Sequence, residues 1–251
     1  MIKQVLKAAI AVSLLMCSGL SVAKEEVVRF ATTATYPPFE WVNEHNEIVG
    51  YEIDLTNALC EAAKVKCTFT NQIWDSVIPS LKFRRYDASV SGLDITPERL
   101  KQVEFTKPYF KNTAILLVRS DSTVQNFADL KGKKVGMENG VTHQRYINDK
   151  FPEVTTVAYA SWNDSLLDLK NGRLDAIFAD TAVVQEWLKT NPTLKTAGEK
   201  VTDPDYFGIG YGMMFRKGNI ALLERFNKAI DEITANGKLK TINDKWFPNG
   251  V

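Results

Sequence analysis

Gly50-Tyr-Glu-Ile-Asp-Leu-Thr-Asn-Ala-Leu-Cys60-Glu-Ala-Ala-Lys-Val-Lys-Cys67-Thr-Phe-Thr70 is the stretch whose reading decides the fold. Ile53, Leu55, Leu59 and Ala62 fall at helical spacing, which predicts a helix over 53–63. Lys66 to Thr70 follows as a short strand, and Val27-Val28-Arg29-Phe30-Ala31 upstream reads as another. Strand, helix and strand in succession imply parallel pairing, so the chain is expected to be α/β.

Working outward, Pro37-Pro38 sets an extended turn. Residues 76–83 read as a helix, 86–90 as a buried strand, and 113–118 as a β-rich segment expected to cross between lobes. A second α/β set follows: a strand over 134–137, a helix opening near Thr142, a strand over 156–159, a helix over 162–171 and a strand over 176–179. Residues 220–235 and 239–246 read as amphipathic helices, with Gly237 as the break between them. The sequence shows neither an internal repeat nor a low-complexity linker, so two lobes sharing this chain should be joined by crossing strands. The strands deliver their C-terminal ends to polar or glycine-containing loops, where open α/β sheets bind ligands.

Length and charge limit the function classes. At 251 residues, with 45% apolar and 24% charged residues, the chain can bury one substantial core or two smaller ones. Basic and acidic residues number 31 and 30, which lacks the excess positive charge of a nucleic-acid binder and favours a small-molecule partner. Lys3 and Lys7, the apolar run Ala8 to Leu20, and Ser21-Val22-Ala23 have the form of a cleavable export signal over 1–23. That run is shorter than the roughly 20 residues that span a bilayer. Cys17 suggests a lipoprotein reading, but Met16 stands where a small residue should precede the lipidated cysteine. Removing Lys3 and Lys7 with the signal leaves 29 basic against 30 acidic side chains, a net charge of −1. The mature chain, starting at Lys24, is expected in the periplasm.

Only Cys60 and Cys67 then remain. In an oxidising compartment they can close a local disulfide between a helix end and the next strand; two buried free thiols are the alternative. His45 and His143 are distant from both cysteines in sequence, so no structural metal site is expected. No cofactor is expected either.

Five motifs carry a family resemblance: Thr35-Tyr-Pro-Pro-Phe-Glu40, Gly50-Tyr-Glu-Ile-Asp-Leu55, Ile78-Pro-Ser-Leu81, Ser91-Gly-Leu-Asp-Ile-Thr-Pro-Glu-Arg99 and Gly172-Arg-Leu-Asp-Ala176. In this order the chain resembles the polar amino-acid-binding proteins of bacterial ABC importers, solute-binding protein family 3. It is most similar to the arginine-binding branch, through Ser91 to Arg99, Met137-Glu-Asn-Gly140 and Trp187-Leu-Lys-Thr-Asn-Pro192. The resemblance covers the whole mature chain. It implies the type II periplasmic binding protein fold: two α/β lobes joined by a two-strand hinge, closing on ligand. Lobe 1 is then expected over 24–112 and 208–251, and lobe 2 over 113–207. The implied partners are a free amino acid, foremost L-arginine, and an inner-membrane ABC permease, with the protein itself a monomer.

The chemistry of the residues agrees with this assignment. An amino acid enclosed by protein is a desolvated zwitterion, requiring a cation for its carboxylate and acceptors for its ammonium. The resemblance puts Arg99 on the carboxylate, for which a planar guanidinium is suited; standing alone it would read as a surface arginine beside Glu98. Asp180, ending an apolar strand, and Asp94 are the expected ammonium acceptors, although Asp180 also suits a helix N-cap. Ser91 and Gly92 offer hydroxyl and backbone groups to the same end. Thr142 opens a helix whose first N–H groups favour a carboxylate, with a simple N-cap as the alternative. Tyr36 and Trp74 resemble the family's aromatic walls and are placed to sandwich a cationic side chain, worth about 0.5–2 kcal/mol. Glu40 and Glu138, expected in cleft-facing loops, are candidate acceptors for that cation. Lysine- and ornithine-binding relatives carry an aspartate three residues before the motif tyrosine, where this chain has Thr33, which argues against a copied lysine pocket. His143 is either a polar contact or a solvated helix residue.

Lysine, ornithine, histidine and glutamine are the alternative ligands. A same-fold enzyme would need a positioned acid or base, a role open to Glu40 or Glu138. The sequence offers no nucleophile–histidine pairing, phosphate-cradling loop or metal cluster beside them. A sensor whose closed form contacts a membrane receptor would share every residue named.

Overall fold

A computed structural model describes residues 26–248. The export segment 1–23, the start at Lys24 and Cys17 lie outside the described residues. The chain opens with β1 (Val27–Thr32) and runs through a small antiparallel sheet of β2 (Thr35–Tyr36), β3 (Glu40–Val42) and β4 (Ile48–Val49) into the helix Tyr51–Ala62. β5 (Lys66–Asn71) then lies parallel to β1, with Val27 opposite Lys66 and Thr32 opposite Asn71. Strand, helix, strand and parallel pairing are thus as read from residues 27–70.

Two short elements follow: a 3-10 turn at Trp74–Ser76 and the helix Val77–Lys82, where one helix over 76–83 was expected. β6 shrinks from the expected five residues to Ala88–Ser89 and pairs parallel to β1. β7 (Val103–Phe105) completes this half of the chain before it leaves for the second sheet. There β8 (Ala114–Arg119), β9 (Lys134–Glu138), β10 (Thr155–Tyr159), β11 (Ala176–Asp180) and β12 (Leu194–Val201) form the order β10-β9-β11-β8-β12. The chain returns as β13 (Met214–Arg216), giving the first sheet the order β5-β1-β6-β13-β7.

Each sheet accepts one strand arriving from the other half. β8 enters antiparallel beside β11, and β13 enters antiparallel beside β6. The expectation that residues 113–118 cross between lobes is therefore corrected. Their apolar run is buried as an interior strand of the second sheet, and the crossing is made by the residues just before it. Phe110 and Tyr211, one on each crossing, form an isolated antiparallel bridge: Tyr211 N–H donates to Phe110 O at 2.8 Å, and Tyr109 N–H to Tyr211 O at 3.0 Å. Beside the return crossing, Gly208 adopts φ 61° with its Cα against the 91–99 loop, where a Cβ would lie 1.9 Å from Ile95 O.

Helices cover the sheets and explain the apolar runs. Phe30 of β1 meets Phe69 and Phe226 at centroid distances of 5.8 and 5.7 Å, which packs helix Ile220–Ala235 on the first sheet. Every residue of β11 is buried, as expected of an interior strand covered on both faces. Gly237, at φ 81°, ends that helix and starts Lys238–Trp246, as the sequence suggested. The Cys60–Cys67 disulfide forms between the end of helix Tyr51–Ala62 and β5, so the free-thiol alternative falls. Among the described residues no helix is long and apolar enough to cross a membrane.

Candidate ligand-binding site

The C-terminal ends of β1, β6, β9 and β11 converge on one narrow cavity. All ten residues singled out in the sequence line it: Tyr36, Glu40, Trp74, Ser91, Gly92, Asp94, Arg99, Glu138, Thr142 and Asp180. Thr33, Val141, His143 and Trp162 line it as well.

Arg99 stands on the short helix Pro97–Leu100, capped by Thr96, whose hydroxyl accepts the Arg99 backbone N–H at 3.2 Å. Its side chain is 8% exposed, lies over the Trp74 ring at 5.3 Å, and donates to Asp94 O at 3.1 Å. The surface-arginine alternative therefore fails. Among the described residues Arg99 forms no salt bridge with a carboxylate. Burial works against its charge, while Asp94 and Asp180 favour it.

Asp94 and Asp180 are held together by Asn112, whose amide donates to one oxygen of each, at 2.9 and 2.7 Å. The other Asp94 oxygen accepts the Thr142 hydroxyl at 3.1 Å, and the other Asp180 oxygen accepts Tyr36 and Tyr211 hydroxyls, both at 2.5 Å. Burial and the charge of Asp180 push Asp94 up to about 7, against the pull of Arg99. Burial would raise Asp180 too, but the His143 imidazole and the two tyrosine hydroxyls hold it below the usual carboxylate range. His143 Nε2 is 3.0 Å from Asp180 Oδ1, off the line of a good hydrogen bond, and Nδ1 has no partner among the described residues. His143 is buried, so the solvated reading of it is excluded.

The N-cap alternative is corrected at Thr142, while Asp180 holds the N-cap position without a side-chain cap. Asp180 precedes helix Thr181–Thr190, yet its carboxylate turns to the tyrosines instead of capping. Thr142 is the first residue of helix Thr142–Lys150, after Val141, and its hydroxyl is committed to Asp94. That contact joins the two halves of the molecule, as do Tyr36 to Asp180, Asn139 to Asp75 at 3.1 Å, and the ion pair of Arg145 with Glu98.

Glu40 and Glu138 sit in strands, opening β3 and closing β9, not in the expected loops. The pleat turns each inward: Glu40 is 0% exposed and Glu138 3%. Burial, with neighbouring Asp75, raises Glu138 to about 8. Among the described residues Glu40 Oε2 and Glu138 Oε1 meet no donor. The Ser91 hydroxyl is turned inward, accepting Thr33 N–H at 2.9 Å and donating to Glu40 at 3.2 Å, so it is engaged in the wall. Gly92 at φ 55° lets the Tyr36 ring press on the loop; a Cβ there would be 3.2 Å from the ring.

Four contributors escaped the sequence reading: Trp162, Asn112, Tyr211 and Glu52. Trp162 stacks on Tyr36 at 5.6 Å. Trp74 lines the same cavity and lies under the Arg99 guanidinium. Asn112 and Tyr211 belong to the crossings, and Glu52 is buried with its carboxylate accepting the Gly92 N–H at 2.8 Å.

Two α/β lobes, each inserting a strand from the other, with a buried polar cavity walled by both, define a two-lobe solute-binding protein of the type II fold. The chain belongs to the bacterial extracellular solute-binding proteins, family 3, whose family model matches residues 28–249. It is 55% identical over 243 residues to ABC transporter arginine-binding protein 1 of Escherichia coli K12, covering 97% of this chain and all of that one. A solved Salmonella typhimurium periplasmic binding protein of high arginine specificity matches with a TM-score of 0.85 and 46% identity, over 88% of this chain and 99% of that chain. An ancestral arginine-binding protein solved with glutamine matches with a TM-score of 0.82 and 35% identity, over 89% and 99% of the two chains.

Proposed function

We propose that this protein captures L-arginine in the periplasm, closes its lobes around it and hands it to an inner-membrane ABC permease. The observation that carries this reading is the chemistry of a single cavity. Among the described residues, a buried guanidinium without a salt bridge stands beside two hydrogen-bonded aspartates, and two further carboxyl groups in the same wall each have an oxygen without a donor. Arg99 takes the ligand carboxylate, Asp94 and Asp180 the ammonium, and Glu40 and Glu138 the guanidinium. Tyr36, Trp162 and Trp74 supply flat apolar surface along the stem. The names of the relatives support arginine, and Thr33 in place of an aspartate separates the pocket from the lysine type.

Lobe 1 comprises 24–112 and 208–251 and lobe 2 comprises 113–207 in this reading, with 1–23 removed on export. The protein acts as a monomeric carrier without nucleic-acid partners, and not as an enzyme. A neutral amide ligand is the second reading: at neutral pH a raised Glu138 is protonated and able to donate to a glutamine carbonyl. Calorimetric titration of refolded, ligand-stripped protein with the common amino acids decides between them. Preference for arginine supports the first reading, preference for glutamine the second, and no binding by any amino acid refutes both.

A further inference from the structure

We propose that Asn112 couples lobe closure to the ammonium end of the pocket: its side-chain amide joins Asp94 of lobe 1 to Asp180 of lobe 2, a bridge that exists only when the lobes are closed. The inference rests on the lobe division and the amino-acid reading above. It adds to them a positioning residue that does not itself line the cavity.

The place of Asn112 in the chain makes it a hinge residue. Two residues before it, Phe110 is bridged to Tyr211, which is bridged in turn to Asp94. One residue after it, Thr113 is fixed to the other lobe. The Thr181 N–H donates to Thr113 O at 2.7 Å, and the two hydroxyls hydrogen-bond at 2.8 Å. Asp94 therefore moves with the segment before Asn112, and Asp180, the neighbour of Thr181, with the segment after it. On this crossing a rotation of the lobes is absorbed at residues 111 and 112, just ahead of β8, where hinges characteristically lie.

The Asn112 side chain spans that break. The residue is 7% exposed, and its NH2 donates to Asp94 Oδ1 at 2.9 Å and to Asp180 Oδ1 at 2.7 Å. Both amide hydrogens are used, so moving the aspartates apart breaks at least one bond. Closure brings two buried carboxyl groups together, and like charges in such a site disfavour each other. Tyr36 and Tyr211 reach Asp180 alone, and Thr142 reaches Asp94 alone. Among the described residues only Asn112 donates to both. The ligand ammonium then meets two acceptors already drawn together. Asn112 thus favours the closed form, and apparent affinity follows the population of that form.

The experiment is calorimetric titration with L-arginine and with L-glutamine of the wild type, Asn112→Leu, Asp94→Ser and the double variant. Leucine keeps the size of asparagine and removes its donors. A buffer at pH 8 lies above the value of about 7 to which Asp94 is raised, so both aspartates carry charge. Asn112→Leu should weaken both ligands by one common factor of about ten, because both carry the same ammonium. With Asp94→Ser present there is no second carboxylate to bridge, and the same substitution should weaken binding by less than about threefold. Equal losses in the two backgrounds would reduce Asn112 to packing and overturn the proposal, as would no loss in the wild type. A wild type that prefers glutamine defeats the arginine reading and leaves the coupling intact, whereas binding of neither ligand defeats both.

If Asn112→Leu does not fold, Asn112→Ala takes its place in the cycle. If Asp94→Ser binds too weakly to titrate, stopped-flow fluorescence of the wild type and Asn112→Leu decides, with Trp74 and Trp162 in the cavity wall as reporters. The open form lacks the bridge, so the loss should appear as faster release with the entry rate of arginine unchanged. A loss carried by slower entry would overturn the proposal.

Discussion

At the residue scale, the account turns on which buried charges are compensated. Arg99 has aspartates near it but, among the described residues, no salt bridge, so a ligand carboxylate gains a partner already held in place. Truncating one member of a buried charge pair costs about 2–5 kcal/mol of binding. Arg99→Ala should therefore weaken arginine, citrulline and glutamine alike by about 100-fold or more, measured by calorimetry. Glu138→Gln should weaken arginine selectively; equal losses for arginine and glutamine would contradict its placement at the side-chain end. The pH dependence has a defined sign. Glu138, raised to about 8, and Asp94, raised to about 7, both favour their neutral forms in the folded protein. Their contribution to stability is complete below the ordinary carboxylate range and is lost as pH rises through those values. The melting temperature of ligand-free protein should fall between pH 5 and 9, read by scanning calorimetry, and arginine should restore most at the alkaline end. The sequence revealed these carboxyl groups because they fall within family-like motifs. Glu52 lies in such a motif too, but an acidic first helical turn commonly faces solvent, and nothing local marks this one as buried. Trp162 was equally hidden, since an aromatic residue opening an amphipathic helix has the same pattern whether it faces a core or a cavity.

At the element scale, helical spacing and apolar runs revealed the longer helices and the strands β1, β5, β6 and β8 to β11, whereas β2, β3, β4, β7, β12 and β13 were not read. The crossings were harder. Residues 106–113 and 202–213 carry no sustained period, and the neighbouring run 114–118 is as apolar as a crossing through a core would be. Asn112 and Tyr211 consequently gave no signal, although they hold Asp180. Their glycines should be intolerant: Gly208→Ala puts a Cβ 1.9 Å from Ile95 O at a positive φ. It should lower stability by several kcal/mol, or prevent folding. The Cys60–Cys67 bridge spans a sequence separation of 7, a short loop whose closure contributes about 2–3 kcal/mol. Replacing both cysteines by alanine should lower the unfolding free energy, read from denaturant titration, by that amount and leave the ranking of ligands unchanged. A changed ranking would show that the bridge shapes the pocket.

At the scale of the whole molecule, binding and closure are one equilibrium. Tyr36 with Asp180, Thr142 with Asp94, Asn139 with Asp75 and Arg145 with Glu98 all join the two lobes. A ligand held from both sides favours this closed arrangement by the difference between its affinities for the closed and open forms. Arg145 with Glu98 is an exposed pair at the cleft rim, so Arg145→Ala should shift arginine affinity by less than about 1 kcal/mol. The complex with L-arginine, crystallised and solved, tests the central claim most directly. The account predicts the ligand inside the closed cavity, its carboxylate on Arg99, its ammonium between Asp94 and Asp180, and its guanidinium against Glu40 and Glu138. A guanidinium directed at the aspartates, or a ligand lying outside this cavity, would contradict it.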